Sequence, residues 1–161
     1  MSIDKNQAMV EYLFRCDTIK ENPLFFNFAQ EEDATNHFVT IADDVDLQKP
    51  YIDGSVLKQY TFNVISYRSV VHNPLIDEPG FIDENMENLA KIQSVMDWIE
   101  EQSDSGEFPD FGTDCVVENM RCLTNDPNLF GVDTNVNPPL AKYSVVIRLQ
   151  YLDNTKKLWK S

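Results

Sequence analysis

His37 and His72, the cysteines Cys16, Cys115 and Cys122, and 27 acids are foremost among the side chains of this chain that could ligate a metal, attack a substrate or move a proton. Zinc sites are built from C-x-x-C or H-x-x-x-H spacings, and neither occurs. Cys115 and Cys122 lie seven positions apart, which on a regular strand points them to opposite faces. No D-x-[DN]-x-[DN]-G loop is present for calcium. Between Asp77 and Asp110 stand 11 acids against one base, Lys91. A carboxylate pair does acid–base work only in a pocket that splits its two pKa values, so on helix flanks and loops these acids read as a solvated face. With five glycines in total, no G-x-x-x-x-G-K-[ST], G-x-G-x-x-G or G-x-S-x-G motif is available to cradle a phosphate or raise a nucleophile. The expectation is a protein without catalytic residue, metal or cofactor, and not an enzyme.

The net charge of −14 argues against non-specific binding to DNA, RNA or an anionic membrane surface. Three cysteines without recurring spacing do not make a disulfide framework, which favours a reducing cytoplasm. Met1-Ser2-Ile3-Asp4-Lys5 lacks the basic and apolar regions of a signal peptide, and no apolar run reaches the ~18 residues that span a bilayer. Residues 1–161 are expected to form a single domain, soluble and intracellular where it is made.

The elements follow from periodicity. A helix is expected from Ser2 to Cys16, capped by Ser2 or Asp4, with Met9/Leu13 and Val10/Phe14 as its apolar pairs. Two short strands, Leu24–Phe28 and His37–Ala42, come next. Val56–Val70 alternates as a long strand with a bulge or bend expected near Ser66. Pro79-Gly80 reads as loop. The second main helix runs from Asp83 to Gln102, burying Met86, Leu89, Ile92, Val95 or Met96, and Ile99. Cys115–Leu123 and Ala141–Leu152 complete the strands, separated by a polar loop, Thr124–Pro139. The order α-β-β-β-α-β-β makes an α+β fold, a mixed, largely antiparallel sheet packed against two main helices.

Surface features then suggest contacts with partners. Apolar residues stand on the expected loops: Leu75, Ile76 and Phe81 on the first, Leu129, Phe130 and Val132 on the second. Tyr51 and Asp53 flank the Asp53-Gly54 turn. Arg148, Lys156, Lys157 and Trp159 belong to a basic end, its short tail spanning 153–161, that could meet the acidic helix of a neighbouring copy in a head-to-tail ring.

Three segments carry a family resemblance. Pro50-Tyr51-Ile52-Asp53-Gly54-Ser55 leading into Leu57-Lys58-Gln59-Tyr60-Thr61-Phe62 resembles the Tyr-x-Asp-Gly-Ser-x-x-x-Gln-aromatic segment of tail terminator proteins from Gram-positive phages and phage-like particles. Trp98-Ile99-Glu100-Glu101-Gln102, followed by Gly106-Glu107-Phe108-Pro109, is similar to that family's Trp-Ile-Glu-Glu-Gln and Gly-x-x-Pro stretch. Ala141-Lys142-Tyr143 and Val145–Tyr151 resemble its last strand. The stretches Cys16–Gln48 and Thr124–Pro139 do not align. The resemblance implies a non-enzymatic virion protein of the tail and neck, made in the bacterial cytoplasm, forming a ring, usually of six subunits, that caps the tail tube, stops its polymerisation and presents a head-joining surface. Its implied partners are further copies of itself, the tail tube protein, a head–tail connector and, in a contractile tail, the sheath, while DNA passes through the lumen without specific binding. The competing expectations are another neck protein, such as a connector or stopper, and an acidic DNA-mimic inhibitor.

Overall fold

Two 14-residue strands organise the computed structural model, which describes residues 4–20, 24–26, 35–41, 49–69, 79–124, 128–133 and 140–156. In chain order the elements are α1 (Lys5–Leu13), α2 (Asp17–Lys20), β1 (Leu24–Phe26), β2 (Thr35–Ile41), β3 (Lys49–Pro50), β4 (Val56–Ser69), α3 (Pro79–Ser105), β5 (Cys115–Cys122), β6 (Asn128–Asp133) and β7 (Leu140–Asp153). β4 and β7 pair antiparallel over their whole length, from Val56 opposite Asp153 to Ser69 opposite Leu140.

Each central strand shares its outer edge between two partners. Along β4, β2 covers Thr61–Tyr67 and β3 covers Val56–Leu57. Along β7, β5 covers Ile147–Asp153 and β6 covers Leu140–Ser144. Where β5 gives way to β6, the Leu123 N–H donates to the Val146 carbonyl at 2.8 Å and the Val146 N–H donates to Thr124 Oγ1 at 3.1 Å. The backbone of β7 therefore stays satisfied across the junction. Only the β1–β2 pair is parallel among the described strands, so the sheet is mixed and largely antiparallel, as expected.

The helices cover one sheet face. Phe38, Phe62, Val64, Tyr143, Val145, Ile147 and Leu149 point into a core shared with Met9, Tyr12 and Leu13 of α1 and Ile92, Val95, Met96 and Ile99 of α3. Phe38 stacks on Phe62 with ring centroids 4.6 Å apart, and both are fully buried. Tyr12 packs against Trp98 at 5.1 Å and its hydroxyl donates to the Glu107 carbonyl. Burial pushes the Tyr12 phenol well above its usual range, with the nearby Arg15 charge opposing and Glu107 reinforcing the effect, so the ring acts as a permanent donor at neutral pH.

Several expectations are corrected. The first helix stops at Leu13 and α2 follows separately, with Asp4 as the N-cap accepting from the Asn6 and Gln7 N–H groups. Val10 is only half-buried and Phe14 is 41 % exposed, while Tyr12 takes the core position. No bulge interrupts β4 at Ser66; its pairing with β7 is continuous, and Ser66 Oγ donates to Asn36 Oδ1 at 2.6 Å. The second helix begins at Pro79, not Asp83, because proline is tolerated in a first helical turn where its missing N–H has no intrahelical partner. It ends three residues later than expected in a Schellman cap, with Gly106 at φ +72° and the Glu107 N–H donating to the Gln102 carbonyl at 2.9 Å. Met86 is 64 % exposed, so the buried stripe starts beyond it. The expected loop from Thr124 to Pro139 contains β6, and β3 adds a further short strand.

The cysteine expectation also fails, for a clear reason. A register shift between Val117 and Asn119 inserts an extra residue into β5, so Cys115 and Cys122 both reach the helix-covered side. All three thiols are free. Burial pushes the Cys122 thiol up to about 12, reinforced by the Glu100 and Asp97 carboxylates, and burial raises Cys115 as well. Both stay thiols at neutral pH and are poor nucleophiles.

Phe62→Ala is expected to destabilise the fold by about 3–5 kcal/mol, read as a lower urea midpoint at unchanged slope.

Candidate interaction surface

One corner of the sheet collects exposed apolar side chains. It is formed by the turn from β3 into β4, the end of β7 and the start of β5, which register pairing places side by side: Leu57 opposite Leu152, and Leu152 opposite Val116. Val116 is 50 % exposed. The consecutive valines Val116 and Val117 make this unavoidable, because neighbouring strand residues face opposite sides and only Val117 enters the core.

The turn itself is tightly held. The Gly54 N–H donates to the Tyr51 carbonyl at 3.1 Å, and the Tyr51 N–H donates to the Ser55 carbonyl at 2.9 Å. Gly54 has φ +90°, a conformation that costs a side-chain-bearing residue. Asp53 Oδ1 accepts from both the Ser55 N–H at 3.0 Å and Ser55 Oγ at 2.5 Å, the self-bonding that favours Asp in turns. Ser55 is buried beneath it. At the tip Ile52 is 95 % exposed and Tyr51 43 % exposed, with Lys49 Nζ lying 5.7 Å from the Tyr51 ring centre. A large aliphatic side chain is thus presented to water by a backbone with little freedom to withdraw it.

Behind the tip lies an open depression of about 490 Å³ lined by Tyr51, Ile52, Asp53, Ser55, Glu118 and Leu152. Glu118 is the extra residue of the β5 bulge, which is how an acid comes to wall an apolar hollow. Beside it Asp153 closes β7, its carboxylate 2.8 Å from Lys58 Nζ and accepting from the Thr155 N–H and hydroxyl. Burial pushes the Asp153 carboxyl up, but the bonds from Lys58 and Thr155 and the Lys58 charge together outweigh it and hold the group well below the ordinary carboxylate range.

Of the sequence candidates, Tyr51 and Asp53 meet here, and Lys156 lies in the exposed turn that follows β7. Arg148 sits on the same face, away from the described helices and farther along β7, with Nε donating to Thr61 Oγ1 at 3.2 Å. Leu129, Phe130 and Val132 belong to β6, at the opposite end of β7 and away from this corner. Phe81 belongs to the start of α3 rather than to a loop. Leu75, Ile76, Lys157 and Trp159 lie outside the described residues. Ile52, Val116, Glu118 and Leu152 were missed; the apolar residue between Tyr51 and Asp53 in a turn, and the Val-Val pair, were the available signals.

Among the described residues no cluster of three or more His, Cys, Asp or Glu side chains could hold a metal ion. No described helix is long and apolar enough to cross a membrane. No protein-family model matches the chain, and no curated protein matches it.

Because the Asp153 pKa is lowered on folding, its contribution is complete above the unfolded carboxylate value of about 3.9 and is lost as pH falls through the lower folded value. Asp153→Asn is therefore expected to cost about 1–2 kcal/mol at pH 7. Urea melts at successively lower pH should show that difference shrinking below about pH 4.

Proposed function

We propose that this chain is a tail terminator, a non-enzymatic ring subunit that caps the tube of a phage or phage-like tail, stops its growth and offers a surface to the head. The observation that carries the reading is the Tyr51–Ser55 turn. One of the three segments that resemble the tail terminator family is also the one that displays a fully exposed isoleucine on a hydrogen-bonded tip. An apolar anchor held this way binds a partner at a low ordering cost, because its rotamers and backbone are restricted before contact. Val116 and the hollow beside Leu152 extend the apolar area around it, and exposed apolar patches with polar rims mark interaction sites.

The acidic charge fits the same reading. A ring through which a genome passes must not hold phosphates, and a net charge of −14 repels them. The partners of the proposal are further copies of the chain, the tube protein and a head–tail connector, with the sheath added in a contractile tail.

The test is electron microscopy of particles lacking the gene for this chain. Overlong tails of irregular length without heads are the expected outcome. Tails of normal length beside leaking heads would assign a connector role instead, and unaltered particles would remove the virion role. Complementation with Ile52→Asp is expected to leave folding within about 0.5 kcal/mol of the parent yet fail to restore tail length.

A further inference from the structure

The sheet face away from the described helices carries two arginines side by side. On it Arg121 of β5 stands directly opposite Arg148 of β7. Like charges in that relation repel across about 4.5–5.5 Å between Cβ atoms and destabilise a strand pair. Arg121 is exposed and Arg148 half-buried. Among the described residues neither enters an ion pair, and the Arg148 guanidinium donates to the neutral Thr61 hydroxyl. A twin cation in a chain of charge −14 calls for an anion from elsewhere.

The matching anions lie on the outer side of α3. Glu87, Ala90, Ser94, Asp97, Glu101 and Asp104 recur at helical spacing and are all exposed. Asp97 and Glu101 are four apart, which separates their Cβ atoms by about 5–6 Å, the spacing of the two arginines. Asp97 accepts from Gln93 Nε2 at 2.8 Å on its own helix, which leaves acceptor capacity for a guanidinium. An apolar match accompanies the charged one. Four residues along β7 from Arg148, about 14 Å away, comes Leu152 with Val116 beside it. Exposed Met86 precedes Asp97 by 11 residues, about 16 Å along the helix axis.

We infer that the helix-free sheet face of one copy docks on the outer face of α3 of the next, the Arg121–Arg148 pair meeting Asp97 and Glu101 while the Val116–Leu152 end meets Met86. The two surfaces are different patches of the same chain, so the contact is heterologous and propagates head to tail until rotation closes it. Closure as a ring rests on the tail terminator reading; the contact itself is a statement about two copies in solution.

Sedimentation velocity over a concentration series at low and high salt tests it, with circular dichroism melts confirming that each variant folds. The wild type is expected to self-associate, more weakly at high salt. Arg121→Glu should melt no lower than wild type, since it removes the like-charge pair, yet weaken association by about tenfold or more. Asp97→Lys with Glu101→Lys should do the same, and a chain carrying the full swap, Arg121→Glu and Arg148→Glu with Asp97→Lys and Glu101→Lys, should recover association. Normal association by Arg121→Glu, no recovery in the combined chain, or a wild type that stays single at every concentration would each overturn the contact. So would Arg121-dependent capture of a short DNA duplex, which would assign the arginines to phosphate. Overlong tails in gene-deleted particles together with any of these results would leave the terminator reading standing without this contact. Recovery by the charge swap beside normal tails would do the reverse.

Discussion

The continuous pairing of β4 with β7 is the constraint on which the rest of the structure depends. Side chains alternate along a strand, so a slip by one residue would send the whole core set of both strands to the wrong side. Phe62, Val64, Val145, Ile147 and Leu149 are buried only in the observed register. That register also decides what stands opposite what on the other face: leucine beside leucine at Leu57 and Leu152, amide beside amide at Gln59 and Gln150, threonine beside arginine at Thr61 and Arg148. One set of backbone bonds thereby specifies both the core and the pattern of the face turned away from it.

Charge is distributed between the two layers rather than evenly. The described outer side of α3 is acidic at Glu87, Asp97, Glu101 and Asp104, whereas the middle of the helix-free face bears Arg121 and Arg148. A polar protein with no further purpose for its surface would intersperse the signs, which gives the monomer small favourable pairings. Segregation forgoes those pairings. The turn at Tyr51–Ser55 likewise leaves Ile52 in water on a hydrogen-bonded tip.

Much of this architecture was legible in the residues. The alternation of Tyr143, Val145, Ile147, Leu149 and Tyr151 announces β7, and the three-to-four spacing of Ile92, Val95, Met96 and Ile99 announces α3. What escaped the pattern has physical causes. β6 contains Asn128, Gly131 and Asp133, weak strand formers, and exists because β5 leaves half of β7's outer edge open. The β5 bulge changes parity without changing composition, which reversed the expected geometry of Cys115 and Cys122. Periodicity marked Met86 as part of the apolar stripe but carries no information on where along a helix the sheet stops. Of the corner surface, Tyr51 and Asp53 were visible because turn chemistry is local. Val116, Leu152 and Arg121 were not, and Arg148 read as part of a basic end rather than as the partner of Arg121, because only pairing brings these residues together.

The same central pairing has a consequence for how the chain is made. Partners in β4 and β7 lie roughly 70 to 100 residues apart in sequence, so their union must wait until α3, β5 and β6 have been synthesised. At about 5–20 residues per second, β4 spends several seconds outside the ribosome with its inner edge unmatched. During that interval α1 and α3 can form by local contacts alone, and they are the elements able to shield the growing apolar face. Translation halted before Leu140 would remove the middle of the sheet rather than its rim, releasing β5 and β6 without the strand they pair with. Such fragments are expected to aggregate through open edges, and the integrity of β7 decides whether β4, β5 and β6 can be joined in one sheet.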